Sequence, residues 1–291
     1  MKNVKKRKLE IAVISDVHLG TYGSRPKELL NYLKTINSET LILNGDIIDI
    51  WQFNKRYFPK SHMKVIKYIT SLLSKGTTVY YVTGNHDEML RKFKGFKIGS
   101  FEIVNKLVLN LDGRKAWIFH GDVFDVTMKH SKWLAKLGGK GYDLLIMINT
   151  FINWVSSLFG FGKLSLSKKI KNSVKSAVKF INNFEETAAE IAIDNGYDYV
   201  VCGHIHQPEK RLIETKDGEV LYLNSGDWIE NLTALEYKDK KWKLYEYAND
   251  TIAQNLHLHM TVKDLEIIKN EDKNSVLFDE LLKEFNIRKT T

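Results

Sequence analysis

Cys202 is the only cysteine in 291 residues, so no disulfide can form within the chain and nothing calls for an oxidising compartment. Three prolines leave no Pro-rich linker, and neither an internal repeat nor a low-complexity run divides the sequence. A secretory leader is not evident either. Basic Met1–Lys8 runs into a short strand-like segment ending at Asp16, not into an apolar core with a small-residue cleavage site, which predicts residence in the cytoplasm. Acidic residues are in the minority: 44 Lys and Arg against 35 Asp and Glu give a net charge of +9. The excess is concentrated, because ten lysines stand against three acids between Asp125 and Glu185. Such a surface implies an anionic partner: nucleic acid, a phosphorylated metabolite or acidic lipid headgroups. What remains is ordinary. With 43% hydrophobic and 27% charged residues, the chain can bury a substantial core as one large domain or two small ones.

The first third alternates strand and helix. Leu9–Ser15, Thr40–Asn44 and Thr78–Thr83 are short apolar runs suited to buried strands, while Pro26–Ile36 and His62–Ser74 carry apolar residues at helical spacing. This alternation predicts an α/β fold with a mainly parallel inner sheet. After Phe101 come shorter strands, Phe101–Val104, Leu107–Leu111 and Lys115–Phe119, with Asp112-Gly113 as a hairpin signal. A helical tract from about Thr127 to Asp194 follows, then strands Tyr199–Cys202, Glu209–Thr215, Glu219–Asn224, Leu232–Tyr237 and Lys241–Tyr247. Two sheets, one fed by each half and flanked by helices, are the simplest packing. Residues 1–250 then form one domain with a helical lid over about 125–185, and 251–291 a tail with a short helix near Ser275–Phe285.

Five polar clusters each follow a predicted strand: Ser15-Asp16-Val17-His18, Asn44-Gly45-Asp46-Ile47-Ile48-Asp49, Thr83-Gly84-Asn85-His86-Asp87, His120-Gly121-Asp122 and Gly203-His204-Ile205-His206. Ligands of open α/β sheets bind beyond the carboxyl ends of strands. Taken singly each cluster is an ordinary turn or loop; five together point to one site. Asp16 and His18 are two apart, as are His204 and His206, so in extended backbone each pair shares a face. A carboxylate such as Asp46 can bridge two cations. Mixed carboxylate, imidazole and amide donors suit Mn²⁺, Fe²⁺ or Zn²⁺ better than Ca²⁺.

These motifs resemble the signature of the calcineurin-like metallophosphoesterase superfamily over about residues 9–247. The matches are Asp16/His18, Gly45-Asp46/Asp49, Gly84-Asn85-His86-Asp87, His120 and Gly203-His204/His206. The resemblance implies two mixed β-sheets packed as a sandwich between helices, and two divalent ions, Mn²⁺ foremost, with Asp46 between them. One ion would take Asp16, His18 and His206, the other Asn85, His120 and His204. Ser15-Asp16-Val17-His18-Leu19-Gly20, Gly45–Trp51, Phe119–Asp122 and the helical insertion are similar to the branch containing UDP-2,3-diacylglucosamine diphosphatases, which cleave a UDP-linked diacyl sugar to a lipid monophosphate and UMP. That branch carries Arg in its third motif where this chain has His86.

From these assignments follow the expected roles. His86 stabilises the transition state or protonates the leaving oxygen, with Asp87 orienting its ring. Asp49 and Asp122 accept hydrogen bonds from ligand histidines. Asn85, His86, Asp125, Lys168, Lys169, Lys171, Lys175 and His204 are expected to touch substrate. Leu144–Gly162 contains no charged residue, but Asn149, Asn153, Ser156 and Gly160 form a polar stripe that argues against a spanning helix. The expectation is an apolar lid helix followed by a lysine-rich one, receiving acyl chains at an anionic membrane surface. Nucleic acid is the less favoured partner, since the basic residues adjoin an apolar run rather than strand-borne aromatics. A metal-free scaffold is disfavoured because every expected ligand is present. No role is assigned to His257 or His259.

Overall fold

The computed structural model describes residues 6–50, 58–125, 181 and 184–256. The lid lysines Lys168, Lys169, Lys171 and Lys175, the Leu144–Gly162 stretch, the predicted tail helix and both tail histidines lie outside the described residues.

Twelve described strands form two sheets. The first runs in the order β12 (Lys241–Glu246), β11 (Thr233–Lys238), β1 (Arg7–Ile14), β2 (Ile36–Asn44), β3 (Thr78–Val82), β5 (Phe101–Val104), β4 (Lys97–Ile98). The second runs β6 (Lys106–Leu111), β7 (Arg114–Phe119), β8 (Tyr199–Cys202), β10 (Gly218–Asn224), β9 (Glu209–Thr215). β1, β2, β3 and β5 are parallel, as are β7, β8 and β10, while both outer flanks are antiparallel. Both sheets are therefore mixed, as expected. They are not each fed by one half of the chain, however. β11 and β12 return to pair with β1, and β6 and β7 leave the first sheet to found the second. Short apolar strands carry no label for which sheet they join; the crossovers decide it.

Alternation along the inner strands explains the layers. Ala12, Ile14, Leu41, Leu43, Val79 and Tyr81 face an outer core under α1 (Pro26–Thr35) and α2 (Lys60–Leu73). Ile11, Val13, Ile42 and Val82 face the second sheet and meet Ala116, Ile118, Val201 and Leu223. Strands buried on both faces read as continuous apolar runs, as these do. Pro26 occupies the first turn of α1, where its missing N–H is no loss, and Leu29, Tyr32 and Leu33 are wholly buried. Each such side chain contributes about 1.5–3 kcal/mol. The helix then passes into β2 without a loop, at β-branched Ile36. Over the far side of the second sheet lies α3, whose described part covers 184–194. Its Ala188, Ala189 and Ala192 let it approach Trp117, Val200 and Tyr222 closely.

Tight turns close two hairpins, the first where the sequence predicts it. Asp112 and Gly113 both have positive φ, and so do Asp239 and Lys240, giving two-residue loops whose twist suits the strands. The final described helix, α4 (Thr251–Gln254), buries Ala253 against the α1 side of the core. Residues just past position 250 are thus built into the domain.

Candidate metal centre

The carboxyl ends of β1, β2 and β3 in one sheet and of β7 and β8 in the other converge at one end of the sandwich. All five motifs lie there. Cross-links stitch the loops: the Asp16 N–H donates to the Gly45 carbonyl (3.1 Å), the His18 N–H to that of Asp46 (2.9 Å), and the Gly203 N–H to that of His120 (2.9 Å). Asn44 joins the two sheets directly, its Nδ2 donating to the Phe119 carbonyl at 3.1 Å.

The ligand pairs are not on extended backbone, contrary to the expectation for residues two apart. Asp16, His18, Asp46, His204 and His206 all have positive φ, between 50° and 69°. They are five of the nine non-glycine residues in that conformation among the described residues. Left-handed backbone costs about 1–3 kcal/mol per non-glycine residue and collects at functional sites. Each donor is aimed by a twist of its own loop rather than by strand pleating.

Three groups of side chains bring their donor atoms within 4.8 Å of one another: Asp16, His18 and His206; His18, Asp46 and His86; and Asp46, His120 and His204. Asp46 Oδ2 stands 3.3 Å from His120 Nε2 and 4.0 Å from His18 Nε2, while its Oδ1 accepts the His86 backbone N–H at 2.8 Å. Asp16 Oδ1 lies 3.2 Å from His206 Nε2, and its Oδ2 accepts the His204 N–H at 3.0 Å. His120 Nδ1 donates to the Asn44 carbonyl at 2.9 Å, leaving Nε2 as the lone-pair nitrogen facing Asp46.

Divalent ions fit this arrangement. Asp16 Oδ1, His18 Nε2, Asn85 Oδ1 and His120 Nε2 are buried without a hydrogen-bond partner, and all four belong to the expected ligand set. They are four of ten such atoms among the described residues, and the four that lie on candidate ligands. Burial alone would raise the carboxyls of Asp16 and Asp46. The facing imidazoles, His206 and His120 for Asp16 and His120 for Asp46, instead hold both below the usual carboxylate range. Burial lowers His206 and His120 in turn. The same carboxylates more than reverse this, lifting His206 to about 9 and His120 well above its ordinary value. The anionic oxygens are thus kept ionised, and a cation would compete with protons for the imidazoles.

Two expected roles change. Asp87 does not orient His86. Its Oδ2 accepts from the Ile47 N–H (3.0 Å) and the Tyr81 hydroxyl (2.7 Å), and its Oδ1 from the Gly84 N–H (2.6 Å). Asp49 holds His86 instead, at 2.9 Å from Nδ1, and lies 3.5 Å from His18 Nδ1. Neighbouring residues on a turn point apart, so sequence adjacency misassigned the partner. Asp122 likewise pairs with Arg91 rather than with a ligand histidine. Asp125 ends the 3₁₀ turn that begins at Asp122. The Asp87 hub gives a stability prediction. Asp87→Ala strands three buried donors and should cost about 3 kcal/mol, read as a lower denaturation midpoint; an unchanged midpoint would contradict the hub.

A sixth strand end was missed. Ser225-Gly226-Asp227-Trp228 follows β10 just as the five motifs follow their strands, and that position was its one available signal. The Trp228 N–H donates to the Asp16 carbonyl (3.0 Å) and Ser15 Oγ meets Ser225 Oγ at 2.7 Å. Asp227 Oδ1 accepts the Ile229 and Glu230 N–H groups (2.7 and 2.6 Å), and its Oδ2 lies 3.8 Å from His206 Nδ1. His62 on α2 was also missed. Its Nδ1 accepts the Gly20 N–H at 2.9 Å and steadies the loop after His18.

A sequence profile described as calcineurin-like phosphoesterase matches residues 9–208, and the chain belongs to that family. It is a metal-dependent hydrolase. Among its relatives, the UDP-2,3-diacylglucosamine hydrolase of Aliivibrio fischeri (strain MJ11) is 24% identical over 248 residues, covering 82% of this chain and 98% of that one. The UDP-2,3-diacylglucosamine hydrolase of Wigglesworthia glossinidia brevipalpis is 25% identical over 251 residues, covering 81% and 93%. Of solved structures, a novel archaeal phosphodiesterase matches with a TM-score of 0.39 and 18% identity, over 81% of this chain and 98% of that one.

Proposed function

We propose that the chain hydrolyses the pyrophosphate of UDP-2,3-diacylglucosamine, or a similar lipid-linked nucleotide sugar, to a lipid monophosphate and UMP. The observation that carries the reaction class is the chain of donor groups in which His18 links Asp16 and His206 to Asp46, and Asp46 links them to His120 and His204. Support for the substrate comes from relatives of that name that align along nearly their whole length. Asp16, His18 and His206 would hold one divalent ion, and Asn85, His120 and His204 a second, with Asp46 common to both; Mn²⁺ suits the donors, as do Fe²⁺ and Zn²⁺. Such ions supply Lewis acidity to the phosphoryl oxygens and lower the pKa of an attacking water.

The chain's own residues do the rest. Water oxygen bonds to phosphorus as the bridging P–O bond breaks, and the leaving oxygen needs a proton. His86 would give it from Nε2, its Nδ1 being held by Asp49. Burial lowers this ring, but the hydrogen bond to Asp49 and the charges of Asp46 and Asp49 raise it above an ordinary histidine. His86→Ala should therefore lower kcat by about 10²–10³-fold while leaving metal content, measured by elemental analysis, unchanged. Loss of metal with the histidine would recast His86 as a ligand.

Residues 1–250, with α4 packed on their core, would form the catalytic domain, with the segment over about 125–185 as a lid that receives acyl chains. Lys168, Lys169, Lys171 and Lys175 would meet phosphates or anionic headgroups there, on the inner face of the cytoplasmic membrane. Among the described residues, no helix is long and apolar enough to cross a membrane. A broader phosphodiesterase or nuclease is the second reading, favoured by the +9 charge and by His86 in place of the branch's Arg. One comparison separates them: turnover, with Mn²⁺ added, of UDP-2,3-diacylglucosamine, a simple water-soluble diester and single-stranded DNA. Equal rates on the soluble diester would remove the lipid-linked reading.

A further inference from the structure

Between β3 and β5 the chain makes an excursion that the reaction does not use. A 3₁₀ turn, Glu88–Phe93, follows directly on Asn85-His86-Asp87, and the two-residue β4 closes it. Its sequence interleaves large apolar residues with cations: Met89, Phe93, Phe96 and Ile98 among Arg91, Lys92, Lys94 and Lys97, with Glu88 as its one acid. The apolar side chains are turned to solvent, at 54%, 56%, 47% and 63% exposure. They are four of the nine large exposed hydrophobics among the described residues, and a fifth, Val123 at 53%, sits on the adjoining turn beside Asp122.

Leaving two phenylalanines half in water forgoes the stabilisation that burial gives. The excursion is nonetheless held firmly. The Leu90 N–H donates to the Asp87 carbonyl (2.9 Å), the Gly95 N–H to the Ile103 carbonyl (2.8 Å) and the Ile103 N–H to the Phe96 carbonyl (3.0 Å), and Arg91 ties to both the Gly84 carbonyl and Asp122. A fixed, exposed, apolar and basic surface thus begins three residues from His86 and three from His120.

We infer that this surface, residues 88–98 with Val123, docks on an anionic lipid bilayer and presents the mouth of the metal centre to it. Phe, Met and Ile enter the acyl boundary while Lys92 and Lys94 remain exposed for headgroup phosphates. Lysine is depleted from the cores of protein–protein interfaces, whereas this surface alternates it with the apolar residues. Single-stranded nucleic acid would call for aromatic platforms along strands; here aliphatic residues share the patch with aromatics on a tight turn. The inference deepens the lipid-linked reading and rests on it for its purpose. Its test does not depend on turnover.

The test is flotation of the full-length chain with phosphatidylcholine vesicles, with and without phosphatidylglycerol, alongside the pairs Phe93→Ser/Phe96→Ser and Lys92→Glu/Lys94→Glu. The parent chain should float with the phosphatidylglycerol vesicles, and each pair should weaken partitioning by roughly tenfold or more. Circular dichroism and hydrolysis of a water-soluble diester should be unchanged in both. Failure of the parent chain to float, or flotation of both variants at the parental level, overturns the inference. A parental dimer in light scattering that either pair dissolves also overturns it, in favour of self-association. Absence of UDP-2,3-diacylglucosamine hydrolysis in a folded, floating parent would count against the proposed function alone.

Discussion

Asp46→Asn should abolish turnover while leaving the chain folded. Asparagine keeps the shape of the side chain and one oxygen to accept the His86 N–H, which Asp46 Oδ1 takes at 2.8 Å. What it removes is the negative charge that stands 3.3 Å from His120 Nε2 and 4.0 Å from His18 Nε2. Asp46 belongs to two of the three donor groups and is the carboxylate they share, so both lose that anion. The loss in kcat/KM should be on the order of a thousandfold or more, the scale of several kcal/mol of charge stabilisation. Metal per chain should fall with it, while the melting midpoint of the metal-free protein stays near the parent's. Near-normal hydrolysis would refute the bridging role.

The second large effect is steric. A methyl group at Gly84 would lie 2.2 Å from Asp46 Oδ1, 2.7 Å from the Asp46 nitrogen and 2.9 Å from His120 Cδ2. No free rotamer relieves a clash with backbone, so the β3 loop must move away from Asp46. Gly84→Ala should cost about 1–3 kcal/mol of stability and, by displacing the shared carboxylate, at least about a hundredfold in rate. Gly76→Ala is the matched control, because a methyl there meets nothing within 4 Å and only its φ of +91° is penalised. It should lose about 1 kcal/mol and no activity. Equal behaviour of the two variants would mean that crowding at Asp46 is unimportant.

Much of this was legible in the residues. Strand ends are marked by a switch from apolar runs to Gly, Asp, Asn and His, and that switch located Asp16, His18, Asp46, Asn85, His120, His204 and His206 at one end of the sandwich. Phe101–Val104, Tyr199–Cys202 and Glu209–Thr215 have the bounds that their composition predicts. Partnership was harder to read. Asp87 follows His86 in sequence, yet turns inward to Ile47, Gly84 and Tyr81, while Asp49, from another loop, reaches the ring. Asp122 finds Arg91 through a 3₁₀ turn that no apolar periodicity announces. Asp227 and His62 act on the site through long-range hydrogen bonds, which sequence spacing does not encode. Sheet membership failed for a similar reason, since β11 joins β1 from more than two hundred residues away.

The positive φ angles at Asp16, His18, Asp46, His204 and His206 narrow which amino acids those positions can accept. Glycine, asparagine, aspartate and histidine enter that region most readily, and three of these four also carry an atom able to bind a cation. Backbone and chemistry therefore favour the same short alphabet, and a cysteine or glutamate ligand would carry an added backbone cost of about 1–2 kcal/mol. For anyone wishing to trap uncleaved substrate on this protein, asparagine is a gentler replacement at these positions than alanine, which would silence the donor and resist the loop as well.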